Sequence, residues 1–286
     1  MPAIPYDSST DALLRPGRAE TWFAHGVPND TVALACETSR LAYLRAEDSE
    51  TERARLAAAL ALAGFGEPTY FHHPESDGQG YAALRGDGLA VIAFRGTEPN
   101  RMGDLVTDVQ AFLRDWELGV GEVHTGFAAS ALGLWLDVEA WLAGTGAERK
   151  RLLLCGHSLG AAIATLLALP SGADELVTLG CPRVGNREFA TAVASAPALD
   201  VRRLVNCCDV VTELPLELTG FEHAGRPLYI DRTGAVHRHP RSEFIKADRI
   251  QARLSYPMEH PLFSGAVPAR DFADHSPVNY LRAFWS

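Results

Sequence analysis

The sequence predicts an α/β fold: a predominantly parallel central sheet with helices on both faces. Three observations predict it. Continuous apolar runs at residues 152–155, 176–179 and 201–207 read as strands buried on both sides. Helical patterns lie between those runs, as parallel neighbours require. The 286 residues are 47% hydrophobic and 22% charged, which excludes disorder and fibrous folds. With no internal repeat, linker or step in composition, residues 1–286 read as one domain.

The elements follow in order. Residues 50–64 predict a helix, because Leu56, Leu60 and Ala63 recur at helical spacing and Gly64 and Gly66 stop it. Residues 81–84 and 89–94 flank Gly86-Asp87-Gly88, a hairpin signal. In residues 100–114, Met102, Leu105, Val106, Val109, Phe112 and Leu113 fall on one face of a helix. Residues 127–142 read as a second amphipathic helix. The strand at 152–155 is followed by a small-residue helix at 159–169, and a helix at 187–194 separates the last two strands. Beyond Cys208 the pattern loosens, leaving a hairpin around 228–236 and a closing helix at 276–285.

Composition narrows the function. Lys and Arg number 26 against 36 Asp and Glu, a net charge of −10 that argues against a nucleic-acid partner. It also weakens landing on anionic membranes but not on neutral lipid. No run approaches the roughly eighteen apolar residues of a membrane-spanning helix. The opening MPAIPYDSSTDALLRPGRAE lacks a basic start followed by an apolar run. The five cysteines, Cys36, Cys155, Cys181, Cys207 and Cys208, are odd in number and form no C-x-x-C pair, so neither a zinc site nor a disulfide framework is indicated. Buried thiols in a reducing compartment, hence a cytoplasmic protein, are expected. His72-His73 and His237-x-His239 lack carboxylates at matching spacing and read as exposed loops rather than metal sites.

The chemistry concentrates at Gly156-His157-Ser158-Leu159-Gly160, between the apolar strand and the Ala-rich helix. An abrupt strand-to-helix turn strains the backbone at its serine and requires small residues on either side. It holds the serine hydroxyl at the carboxyl end of the sheet, above the free N–H groups of a helix N-terminus. Serine is a weak nucleophile and needs a base that a third group orients. Five histidines follow Ser158 in the chain: His223, His237, His239, His260 and His275. His275, just before the closing helix, is best placed to return to the sheet's carboxyl edge. Asp209 directly follows the strand at 201–207, whereas Asp200 precedes it; Asp231 and Asp274 are weaker alternatives. His157, Arg95 and Arg183 read as packed structural neighbours.

Six segments in order resemble the class 3, fungal-type lipases of the α/β-hydrolase superfamily. They are Phe94-Arg95-Gly96-Thr97, His124-Thr125-Gly126-Phe127, Gly156 to Gly160, Gly180-Cys181-Pro182-Arg183-Val184-Gly185-Asn186, Asn206-Cys207-Cys208-Asp209-Val210-Val211 and Asp274-His275. By position, the resemblance implies Ser158 as nucleophile, Asp209 as orienting acid and His275 as general base. It implies an oxyanion hole at the backbone N–H groups of Thr97 and Leu159, and a lid at about residues 98–114. A fixed surface helix is the other reading of that segment. The expected activity is hydrolysis of acylglycerol or related acyl esters, with no metal or cofactor and with transient contact to a lipid interface. Phospholipase A1, a short-chain esterase, an acyl transferase and a non-catalytic binding relative are the alternatives.

Overall fold

The computed structural model describes residues 3–76, 78–96, 112–261 and 265–285. Its principal sheet has eight strands in the order β1 (Thr69–His73), β2 (Gly78–Leu84), β3 (Leu89–Phe94), β6 (Arg151–His157), β7 (Glu175–Leu179), β8 (Asp200–Asn206), β9 (Pro227–Ile230) and β10 (Val236–Arg238). The run from β3 to β9 is parallel; β1, β2 and β10 are joined antiparallel at the two edges. A separate ribbon pairs β4 (Leu113–Asp115) with β5 (Glu122–His124). This is the mostly parallel, two-sided sheet that the continuous apolar runs predict.

Alternation along the strands divides the interior into two cores. Val91, Ala93, Leu153, Cys155, Val177 and Leu179 face one of them, while Ala90, Ile92, Phe94, Leu152, Leu154 and Leu176 face the other. The first is covered by α2 (Thr31–Leu41), α3 (Glu50–Leu62) and the C-terminal Tyr280, Leu281 and Trp285. The second is covered by α4 (Thr125–Ala143) and α5 (Leu159–Leu167). Each fully buried aliphatic side chain contributes about 1.5–3 kcal/mol, so the two layers hold the sheet from both sides.

Helix α2 was not expected. Every residue from Val32 to Leu41 is buried, Glu37 and Arg40 included, so no polar face marks its period. Asp30 caps it by accepting from the Val32 N–H at 2.9 Å. The Glu37–Arg40 pair, 2.7 Å apart, is completed by carbonyls of Pro16, Ala19 and Glu20. A further helix, α7 (Ser242–Glu259), also escaped notice: Ile250, Leu254 and Met258 are exposed, which blurs its apolar stripe. No helix among the described residues is long and apolar enough to cross a membrane.

Two expectations are corrected. The amphipathic helix read over residues 100–114 falls largely outside the described residues, but at its end Leu113 and Arg114 are strand, opposite His124 and Val123. Cross-strand pairing overrides helical spacing there. His72 and His73 lie on strand β1 rather than in a loop, and His237 lies on β10.

What positions the site is the shared direction of β3, β6, β7 and β8. All four end at one edge, where the next residues are Arg95-Gly96, Ser158, Gly180 and Cys207 to Asp209. Parallel sheets concentrate their reactive loops at this edge.

Candidate active site

At the end of β6 the chain turns into α5 through Ser158, whose φ is 57° and ψ −123°. This is unfavourable for a residue with a side chain and is maintained by its surroundings. The two flanking glycines permit the turn by close approach. A Cβ on Gly156 would lie 2.3 Å from the Gly160 carbonyl oxygen, and one on Gly160 would lie 2.1 Å from that of Phe94. The sequence argument for residues without bulk on either side thus has a direct steric cause. The Ser158 N–H donates to the Leu179 carbonyl at 3.0 Å, and Leu159 opens α5, where helix geometry leaves its N–H without an intrahelical acceptor.

His275 and Asp209, 66 residues apart, meet in the interior with both side chains wholly inaccessible. The His275 Nδ1–H donates to the Asp209 carboxylate, 2.9 Å from each oxygen. That fixes the tautomer and leaves Nε2 as the basic nitrogen. Asp209 also accepts from the Val211 N–H at 2.9 Å and from the Tyr280 hydroxyl at 2.5 Å, while Tyr280 accepts from the Asn206 N–H. Burial, then the Asp209 charge, pushes the Tyr280 phenol well up, so it remains a donor. Of the side-chain polar atoms buried without a hydrogen-bond partner among the described residues, two are Ser158 Oγ and His275 Nε2. Buried unpaired polar atoms are rare in folded proteins, and here they belong to the nucleophile and base candidates.

Gly180 closes the gap between the strands. Its φ is +59°, and a Cβ there would come 2.7 Å from Asp209 Oδ2 and 2.9 Å from His275 Nδ1. No larger residue fits beside the pair. His157 braces the other side: its Nε2–H donates to the His275 carbonyl at 2.6 Å, so its Nδ1 accepts from the Tyr43 hydroxyl, also at 2.6 Å. Burial first, and then the nearby His275 charge, hold His157 well below its ordinary pKa, so it stays neutral.

The other candidates go elsewhere. His237 pairs with Asp231 at 2.7 Å on the β9–β10 hairpin. His223 Nε2 donates to the Thr212 carbonyl, and His260 contacts the Ser8 hydroxyl. His239 adopts φ 56° beyond β10. Asp274 is engaged by Arg270, Tyr6 and the Cys208 N–H. Asp200 begins β8, at the edge opposite the site. Thr97, expected as the first oxyanion donor, lies outside the described residues, as does most of the segment expected to be a lid.

Arg95 and Arg183 are bound as structural neighbours, to Glu47 and to the carbonyls of Glu213 and Pro215 respectively. Sequence reasoning gave no role to Gly180, Tyr43 or Tyr280. Gly180 stood in one of the six quoted segments, whereas nothing in the sequence distinguishes the two tyrosines. Among the described residues, Cys207, Cys208 and Asp274 form the one cluster with metal-ligand spacing. Arg270, 3.0 Å from Asp274 Oδ2, already neutralises that carboxylate, so the donor set suits an ion pair better than a metal.

The family model described as Lipase (class 3) matches residues 91–219. The fold superposes on the Rhizomucor miehei triacylglyceride lipase with a TM-score of 0.58 and 26% identity, over 70% of this chain and 77% of that one. Among curated proteins, phospholipase A1-II 1 of rice (Oryza sativa) is 38% identical over 108 residues, 35% of this chain and 25% of its own length. The secreted mono- and diacylglycerol lipase 1 of Fusarium solani is 33% identical over 119 residues, 38% of this chain and 34% of its own. The chain thus spans about a quarter to a third of the length of these two curated relatives.

These likenesses correct the expected cytoplasmic location. The solved structures that the fold matches are lipases, and the Fusarium relative carries secretion in its name, which counts against a cytoplasmic location. The inference from cysteines failed for a physical reason. All five thiols are free and buried, and a thiol sealed from solvent reports little about the redox poise outside. With the matched segment, the superposed fold and the strand–turn–helix at Ser158 in agreement, the chain has an α/β-hydrolase fold and is similar, over residues 91–219, to the class 3, fungal-type lipases.

Proposed function

We propose that the protein is a serine carboxylic ester hydrolase acting on acylglycerol-like esters through an acyl-enzyme, with Ser158, His275 and Asp209 as its triad. One observation carries the reading. The buried His275–Asp209 pair leaves a basic Nε2 unpaired at the sheet edge that also holds the strained, unpaired Ser158. His275 Nε2 takes the serine proton as Oγ attacks the ester carbonyl, and Asp209 stabilises the imidazolium that forms. The tetrahedral oxyanion is held by the Leu159 N–H and, by position in the family pattern, the Thr97 N–H, each worth about 10² to 10³ in turnover. His275 returns the proton to the leaving alcohol, and water repeats the cycle to free the acid. Neutral His157 lets His275 become cationic without a like charge beside it.

The test is hydrolysis of p-nitrophenyl esters from acetyl to palmitoyl, with Ser158→Ala alongside. Activity that peaks at medium or long chains and disappears in the variant supports a lipase. A peak at acetyl or butyryl makes it an esterase. A folded protein silent across the series overturns the reading.

A further inference from the structure

Three segments of the candidate site meet around one hydroxyl. Tyr43 stands just beyond the end of α2 at Leu41. Its oxygen lies 2.6 Å from Nδ1 of His157, the residue before Ser158. The same oxygen receives the Gly96 N–H, from the segment that follows β3. On its other side, His157 Nε2 lies 2.6 Å from the His275 carbonyl, and the two imidazole rings are 4.4 Å apart. Tyr43 therefore touches the turn beside the serine directly and reaches the base through one imidazole.

The polarity of these bonds has one solution. A carbonyl only accepts, so neutral His157 carries its proton on Nε2 and leaves Nδ1 as an acceptor. Tyr43 then donates to Nδ1 and keeps its lone pairs for the Gly96 N–H. Burial pushes the phenol up, so its proton stays on the oxygen at neutral pH. Every donor in the chain points the same way, from Gly96 to Tyr43 to His157 to His275, and bonds aligned in this manner strengthen one another. Packing around Gly96 agrees. A Cβ there would lie 2.2 Å from the Tyr43 hydroxyl, 2.9 Å from the His157 carbonyl oxygen and 3.1 Å from Ser158 Cβ. The turn rests on the hydroxyl and on the end of β6 at once. Tyr81 is the contrasting case: its buried hydroxyl donates to the Thr38 carbonyl at 2.9 Å and joins no residue of the site.

We infer that Tyr43 is a positioning residue for the reaction at Ser158: its hydroxyl sets how the Gly96 turn and the His275 backbone stand on either side of the serine. This rests on the hydrolase reading, in which His275 must be in place when Oγ attacks. The first arm of the test needs no turnover. Nitrogen-15 NMR of the histidine side chains, with His157 assigned by its loss in His157→Gln, should show a neutral Nε2–H imidazole at neutral pH. Its Nδ1 should carry the shift of a hydrogen-bonded acceptor and move to that of a free acceptor in Tyr43→Phe. A proton on Nδ1 in the wild-type protein overturns the proposal, because Tyr43 would have nothing to donate to.

The second arm compares Tyr43→Phe with Tyr81→Phe on a p-nitrophenyl ester that the wild-type protein hydrolyses. Each variant loses one hydroxyl bond, so the melting temperature should fall in both. Only Tyr43→Phe should lose kcat, by about tenfold, with KM within about twofold of wild type. Full kcat in Tyr43→Phe, or equal losses of kcat in the two variants, overturns the proposal. Failure of the hydrolase reading would look different: wild-type protein silent toward every ester while the His157 resonance still depends on Tyr43, which would leave the bond in place with no reaction for it to serve.

Discussion

The molecule holds two histidine–aspartate pairs of nearly equal length. His275–Asp209 spans 2.9 Å with both side chains at 0% exposure, and His237–Asp231 spans 2.7 Å with 35% and 12%. Distance alone does not separate them. The first joins a strand end to a distant loop and receives further donors from Tyr280 and Val211, so its carboxylate is fixed and dry. The second closes a hairpin six residues long, and Asp231 spends its oxygens on the backbone and hydroxyl of Thr233 and the N–H of Ala235. Placement at the sheet edge that holds Ser158 and exclusion of water make a pair useful for proton transfer. The hairpin pair has the chemistry without the surroundings.

The largest expected effect breaks this comparison outright. His275→Ala should lower kcat on a p-nitrophenyl ester by about 10⁴ or more, while His237→Ala should stay within about twofold. Comparable losses from both would mean that the buried pair has no special role. Next comes Gly180→Ala. The added methyl meets Asp209 Oδ2 at 2.7 Å and His275 Nδ1 at 2.9 Å, so the imidazole must move. A displacement near 1 Å costs about 10² in turnover. Far-UV circular dichroism should remain native, and an unchanged kcat would show that His275 need not be held where it stands.

Tyr280→Phe sharpens the contrast by stripping one donor from the buried carboxylate. A hydrogen bond to a charged group is worth about 1.5–3 kcal/mol, and the Asn206 N–H loses its acceptor as well. If about 1.4 kcal/mol of this serves to hold His275, kcat falls about tenfold, with KM little changed. A loss of melting temperature with full kcat would assign Tyr280 to stability alone.

The same contrast explains what was legible in the sequence. The parallel strands were readable because burial on both faces leaves unbroken apolar runs, such as Leu152 to Cys155. The nucleophile turn was readable because sterics admit only glycine at 156 and 160. Asp209 and His275 were placed by chain order and by resemblance, since nothing local marks either as a partner across 66 residues. Helix α2 lacked a polar face to reveal its period, and α7 lacked a clean apolar one. Tyr43, Tyr280 and Gly180 act through contacts between distant segments, which a single sequence does not display. The cellular location was misread because burial, not compartment, keeps the five thiols apart from solvent.

The smallest effect concerns what the buried pair needs around it. Burial, reinforced by the His275 charge at His157 and by Arg203 and Arg183 at His223, holds both histidines well below their ordinary pKa of about 6.5. Folded, they stay neutral where the unfolded chain would protonate them. The unfolded state therefore binds more protons below about pH 6.5. Stability should be complete above that value and decline as the pH falls, by up to about 1.4 kcal/mol per pH unit for each histidine until the folded group itself titrates. Urea unfolding at about pH 7.5 and about pH 5.5 measures the slope. His157→Gln should remove its share, because glutamine has no proton to gain, and His223→Gln should remove the other. A wild-type stability that is flat across this interval would mean that His157 can be charged in place. A cation would then already stand against His275, and its neutrality could no longer be part of the proposed mechanism.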